Sequence, residues 1–468
     1  MKEKKDELSQ ALHSALKSWF APGKSDGEEP LDQLQLVKQR QMQPDGPDQN
    51  SHRLHLNEVL LEALDQLGEQ NSSASQLLRD RFLENQLLKE VAQSRNVDHH
   101  TISRQQKAAL AELAEVVYQQ EMSLRQTLMA EMETHLPPPT YAELFGVEEP
   151  LAQLVEQLTA VACPHLITVL GIGGIGKTSL ADAAVRQVIP TFRFDQVIWL
   201  RLEYQTLHGR SRSPAESWQQ IIDGIAAHIW PDSYRDVGQK QREIQVRHRL
   251  KQAPYLVVVD NLEAEEDTAY VLAHLSDLAD PSKFLLTTRI QPTGETAVFT
   301  LSLSELSRAD AAALMRHHAE RSSISLDEAT AADFDAIYER VGGNPLALKL
   351  VIGQLRDISL PHILDNLVAQ RGEDVAKMYQ RIYRRAWELL TPTAQQLLRA
   401  MQLVSEEGVT AEDLQTIYLG DTIDEADFWP AIQSLRQRSL LEVRGSLRQR
   451  KYGIHRLTRT FLENDINP

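Results

Sequence analysis

From residue 52 to about 136 apolar residues recur every three or four positions, the period of helices that bury one face. Leu136-Pro137-Pro138-Pro139 ends that run, since proline lacks an amide hydrogen and cannot continue a helix. The pattern then changes. Short apolar, β-branched runs at 165–170, 196–202, 255–260, 284–288 and 297–302 alternate with helical stretches. Such alternation predicts a parallel sheet with helices on both faces. After about 303 the helical period returns. Helices are expected at 394–404 and 426–438, then a strand pair near 440–444 and 451–455, the pattern of a winged helix. Residues 6–20 predict a short amphipathic helix, and the turn-rich stretches 21–30 and 43–50 suggest loose tethering. The expected class is multidomain α and α/β. Its parts are a flexible segment 1–51 with a short helix, a helical helix-turn-helix domain 52–136, an α/β parallel-sheet domain 138–303, a helical domain 304–376 and a winged-helix domain 377–468.

Composition narrows the class without naming an activity. The 468 residues exceed one ordinary core, and about 150 residues per domain suggests three or so. A hydrophobic fraction of 42% and a charged fraction of 25% are those of a soluble globular protein. The net charge of −17 argues against a surface that binds nucleic acid or anionic lipid throughout, leaving room for a local basic face. The single Cys163 excludes an internal disulfide framework and a Cys-rich zinc site, and it fits a reducing compartment. No apolar run approaches the roughly 18 residues of a membrane span, and the opening Met-Lys-Glu-Lys-Lys-Asp lacks the apolar core of a signal peptide. The expectation is a cytoplasmic protein without a membrane partner.

Candidate chemistry centres on Gly171-Ile-Gly-Gly-Ile-Gly-Lys-Thr178, which fits G-x-x-x-x-G-K-[ST] between a predicted strand and a predicted helix. Gly171, Gly173, Gly174 and Gly176 let the backbone turn tightly, so that N–H groups and a helix N-terminus face a polyphosphate. Ile175 and Ser179 complete the candidate nucleotide-binding stretch. Lys177 reaches the β and γ phosphates, and the Thr178 hydroxyl is a ligand for Mg²⁺. The apolar run 255–259 ends in Asp260, which at that strand end can hold the Mg²⁺ shell. Glu263 then either orients the attacking water or is simply solvated. Arg289, after Thr287-Thr288, either senses a γ-phosphate or pairs with a surface acid. Gly343-Asn-Pro-Leu-Ala347 reads by itself as a helix start with proline in the first turn. The adjacent pairs His99-His100 and His317-His318 lack accompanying ligands and read as non-metal histidines.

Taken in order, Tyr141-Ala-Glu-Leu-Phe-Gly146, the glycine loop, Val257-Val-Val-Asp-Asn-Leu-Glu263, Leu285-Leu-Thr-Thr-Arg289, Gly343-Asn-Pro-Leu-Ala347 and Ile454-His455 resemble the NB-ARC family of the STAND class of P-loop ATPases, over roughly residues 138–466. The resemblance implies ATP and ADP as ligands with Mg²⁺. It places Arg289 at the γ-phosphate, Pro345 against adenine and His455 at the β-phosphate of ADP. Lys177, Asp260, Glu263 and Arg289 become the candidate catalytic set of a slow ATPase. Three positions depart from the family pattern. Val147 stands where an arginine commonly follows the lead-in glycine, Asp260-Asn261 replaces a paired aspartate, and Arg456 follows His455 where an aspartate is usual. The expected function is a nucleotide-controlled signalling switch that assembles as a homo-oligomer on activation. Relatives carry a sensor array after the winged helix; here the sequence does not identify the trigger, and a sensor is either lacking from these residues or supplied by a partner. The alternatives are a DNA-binding transcription regulator with a structural nucleotide, and an AAA+ ATPase acting on DNA, at which Arg444, Arg448, Arg450 and Lys451 hint.

Residues 88–110 give a helix, a break near Asn96-Val97 and a second helix with Asp98 as its cap. Val91, Ala92, Val97, Ile102 and Leu110 fall at the apolar positions of a helix-turn-helix. The segment resembles the final DNA-binding helix-turn-helix of bacterial sigma factors. That resemblance would direct His99, His100, Thr101, Ser103, Arg104 and Lys107 at DNA. Only Arg104 and Lys107 supply cations on that stretch, so the other reading is a helical bundle for protein contacts.

Overall fold

A computed structural model describes residues 2–20, 29–41, 51–162, 164–202, 213–262, 265–292 and 297–366, and those of 380–466 other than 381, 382, 385, 406, 407, 420–422, 439, 446–448, 455 and 463–465. The chain divides into two compact units, Met1–Glu131 and Met132–Pro468.

The first unit is helical. Its core takes Leu56, Leu60, Leu64 and Leu67 from the helix Ser51–Gln70, and Leu110, Leu113 and Val117 from the helix His99–Thr134. The loose tether expected over residues 1–51 is corrected by this core. Leu8, Ala11, Leu12, Ala15 and Leu16 of the helix Lys2–Lys17 are buried in it, at the i, i+3, i+4, i+7, i+8 spacing of one helical face. A fully buried leucine stabilises by about 1.5–3 kcal/mol, enough to hold so short a helix in place. Arg53 donates to the Ala15 carbonyl at 2.8 Å, and the Glu121 carboxylate accepts from the amides of Gln35 and Leu36 at 3.0 and 3.1 Å. Of the turn-rich stretches 21–30 and 43–50, all but Glu29 and Pro30 lie outside the described residues, and those two open the short helix Glu29–Asp32.

The second unit contains the expected parallel sheet. Its strands are β1 (Leu166–Leu170), β2 (Gln196–Arg201), β3 (Tyr255–Leu262), β4 (Lys283–Thr288) and β5 (Val298–Ser302), in the order β2-β3-β4-β1-β5. The central β3 and β4 are almost wholly buried, as parallel strands covered on both faces must be. Alternate residues Val257, Val259, Phe284 and Leu286 join a cluster with the helices Pro214–Ile229, Gln239–Gln252 and Glu265–Leu278. The intervening residues point to the other face, and Lys177–Val188 packs against β1 and β4.

Beyond β5 a single apolar cluster runs from Leu306 to Leu462. It joins the helices Arg308–Arg321, Ala331–Val341, Pro345–Gln354, Pro392–Ala400 and Glu425–Gln437 to the antiparallel pair β6 (Glu442–Gly445) and β7 (Arg450–Gly453). The expected boundary near 377 therefore does not divide this core.

Candidate functional site

The glycine loop connects β1 to the helix Lys177–Val188 at the carboxyl end of the sheet. Gly176 caps that helix at φ +105°, a left-handed conformation that only glycine adopts without strain. No heavy atom among the described residues comes within 4 Å of where a Cβ on Gly176 would stand. Lys177 folds back across the loop, donating to the carbonyls of Gly171 at 2.8 Å and Ile172 at 3.1 Å. Its ammonium is fixed over the mouth of the loop, with only 8% of the residue exposed.

The acid comes from two strands away. β4 lies between β1 and β3, yet Asp260 reaches the loop, because its Oδ1 accepts from Thr178 Oγ1 at 2.8 Å. The same oxygen accepts from Thr287 Oγ1 at 2.7 Å. Thr287 Oγ1 in turn accepts from the Asn261 amide at 2.8 Å, where β3 slips register against β4 and Asn261 takes φ +76°. A hydroxyl and a carboxylate side by side are the hard oxygen donors that Mg²⁺ requires, so Thr178 and Asp260 fit the ion the sequence implies. Nucleotide with Mg²⁺ would supply the phosphates and the cation; the protein supplies the loop, the ammonium and the two oxygens.

The third wall comes from the helical region. Asn344 donates through Nδ2 to the Gly173 carbonyl at 3.0 Å, and the Leu346 amide donates to the Gly174 carbonyl at 3.3 Å. Gly174 itself sits at φ +75°, and a Cβ there would fall 2.8 Å from that of Leu346. Asn344 is also the N-cap of Pro345–Gln354, with Pro345 at the first turn. A fourth element leads in from residue 137. Tyr141 donates to Asp182 Oδ2 at 2.7 Å, and Arg186 donates to the same oxygen and to the Pro137 carbonyl. Burial first and the Asp182 carboxylate second raise the Tyr141 phenol above its ordinary value.

Lys177, Thr178, Asp260 and the glycine loop thus converge, with Ile175 buried beneath the loop and Ser179 in the first helical turn. Arg289 follows β4 and Pro345 borders the loop, both half-buried. Glu263 and His455 lie outside the described residues. Thr287, Asn344 and Asp182 join the site without a role foreseeable from their local sequence. The Asn-Pro start of a helix was the one local signal for Asn344.

The helix-turn-helix candidate has its own geometry. Val91, Ala92, Ile102 and Leu110 are buried and the break falls at Asn96, φ +55°. His99, His100, Ser103, Arg104 and Lys107 are exposed. Thr101 instead donates its hydroxyl to Asp98 at 2.6 Å.

Residues 147–322 match the NB-ARC domain. A WD repeat-containing protein of Nostoc is 23% identical over 328 residues, covering 65% of this chain and 25% of its own length. A disease resistance protein of Arabidopsis thaliana is 26% identical over 238 residues, covering 49% of this chain and 25% of its own. This chain therefore spans about a quarter of these curated relatives. Among solved structures, a STAND protein with a tetratricopeptide repeat sensor from Pyrococcus horikoshii superposes with a TM-score of 0.45 at 18% identity, over 71% of this chain and 44% of that one. Residues 147–322, which carry the glycine loop after β1 and the Asp260–Thr178 bond, are thus similar in sequence to the NB-ARC domain.

Proposed function

We propose that the chain is a nucleotide-controlled signalling switch, in which ADP holds the α/β and C-terminal helical regions closed and exchange for ATP opens them. The observation that carries this is the grip of Asn344 and Leu346 on the carbonyls of Gly173 and Gly174. The loop that would cradle phosphate is held by the element that would move. A ligand shifts a two-state equilibrium only by its differential affinity, and a phosphate contact shared by two regions supplies one. In this reading Lys177 and the loop bind the phosphates, Thr178 and Asp260 hold Mg²⁺, Arg289 reads the γ-phosphate and Pro345 packs on the base. His455 is assigned to the β-phosphate and Glu263 to the attacking water. Hydrolysis is slow and resets the switch. Opened subunits assemble, and clustering would give a weak N-terminal reader of DNA or protein its avidity.

The test is the nucleotide content and mass of the purified protein before and after ATP exchange. Bound ADP with an ATP-dependent rise in mass supports the switch; a nucleotide-free monomer of constant mass overturns it. The second reading, a DNA-binding regulator with a structural nucleotide, is favoured by the exposed Arg104 and Lys107. It requires Lys177→Ala to leave DNA binding and regulation intact.

A further inference from the structure

Thr287 is buried to 1% exposure in the middle of the site, and the roles assigned so far do not use it. Its hydroxyl makes two short bonds in opposite senses. It donates to Asp260 Oδ1 at 2.7 Å and accepts from the Asn261 amide at 2.8 Å. Those bonds meet where the β3–β4 pairing slips between Val259 and Leu262. Past the slip Asn261 adopts φ +76°, a conformation unusual for a non-glycine residue, and its side-chain amide donates to the Leu202 carbonyl at 3.2 Å. Asp260 is thus held from two sides, by Thr178 from the glycine loop and by Thr287 from the strand that separates them.

A carboxylate has free rotation about χ1 and χ2 unless its oxygens are committed. Thr178 alone does not fix its direction, because its hydroxyl offers one proton to one oxygen, and that single bond leaves the carboxylate able to swing about it. Thr287 faces the interior, its acceptor side is taken by a backbone amide, and its proton therefore points at Oδ1. With Oδ1 taken by two hydroxyls, Oδ2 would be the oxygen available to a cation. We propose that Thr287 is a positioning residue for Mg²⁺, adding a second, interior bond that fixes the rotamer of Asp260 while the Thr178 oxygen serves the metal. The neighbouring Thr288 does not share this role, since its hydroxyl is bonded within its own turn, accepting from the Ile290 amide at 3.0 Å.

This inference rests on the nucleotide reading above, and its test separates the two. Fluorescent ADP is titrated into full-length wild type, Thr287→Val and Thr287→Ser, in EDTA and across a Mg²⁺ series. Valine keeps the β-branched shape that the strand needs and removes only the hydroxyl; serine restores it. The expected result is an ADP affinity in EDTA within about twofold of wild type for both variants. The Mg²⁺ concentration that half-saturates the Mg²⁺-dependent signal should rise about tenfold or more in Thr287→Val and return towards wild type in Thr287→Ser. An unchanged Mg²⁺ midpoint in Thr287→Val overturns the proposal. So does an equal loss of affinity with and without Mg²⁺, which would mean that Thr287 merely supports the bulge. Wild type that binds no ADP in either condition overturns the nucleotide reading itself, and the proposal with it.

Discussion

Two helices in this chain begin in opposite ways. The helix Lys177–Val188 starts from a left-handed glycine with no side chain over its first turn. The helix His99–Thr134 starts from Asp98, whose carboxylate accepts from the amides of His100 and Thr101 at 2.8 and 2.9 Å and from the Thr101 hydroxyl at 2.6 Å. Both ends carry the partial positive charge of a helix dipole. One leaves it for a ligand, while the other neutralises it with a carboxylate of its own. The Thr101 bonds hold Asp98 down at about 2. A phosphate would thus find an open helix end at residue 177 and a filled one at residue 99. On this helix the cations that could meet a nucleic acid, Arg104 and Lys107, lie further along.

The contrast breaks most visibly at Lys177. Lys177→Ala should weaken ADP about 100-fold, the loss of roughly 3 kcal/mol of charge-assisted bonding, measured by calorimetric titration. A loss under threefold would mean that the loop is not the phosphate seat. Gly174→Ala comes next, because it forces an L-residue to φ +75° and presses a methyl against Leu346. It should cost about 1–3 kcal/mol, read as a lower melting temperature of the second unit and weaker ADP binding together. Asp98→Ala should do the reverse, lowering the melting temperature of the first unit while ADP affinity stays unchanged. Its pH dependence has a defined sign. Asp98 has a folded value near 2 against an ordinary 3.8, so its contribution is present above pH 4 and lost as pH falls from there towards 2. Acid unfolding curves of wild type and Asp98→Ala should therefore differ above pH 4 and converge near pH 2.

What could be read in advance follows the range of the interactions. All five strands were visible, because a strand buried on both faces must be apolar along its whole length, as 255–259 is. The loop was visible because its chemistry lies within eight consecutive residues. Thr287 was not, since its tie to Asp260 exists only because β4 runs between β1 and β3, an order that no local pattern encodes. Nor was the meeting of Asn344 with Gly173, 171 residues apart. Burial of the helix Lys2–Lys17 was hidden differently. Charged residues at its start and long turn-rich stretches after it made an apolar face look too short to matter, and much of the partner surface, such as Leu56 and Leu60, comes from more than thirty residues away.

Asn344 has one further chemical consequence. Its carbonyl oxygen accepts from the Leu346 and Ala347 amides while its amide nitrogen donates to the loop. Both ends of one short side chain are spoken for, and no other standard side chain of that length offers a donor and an acceptor on a single carbon. Asn344→Asp keeps the shape and the helix cap but turns an oxygen towards the Gly173 carbonyl. The helix should therefore melt as before, while the loop is repelled rather than held. That substitution would uncouple a lock from its bolt without loosening either.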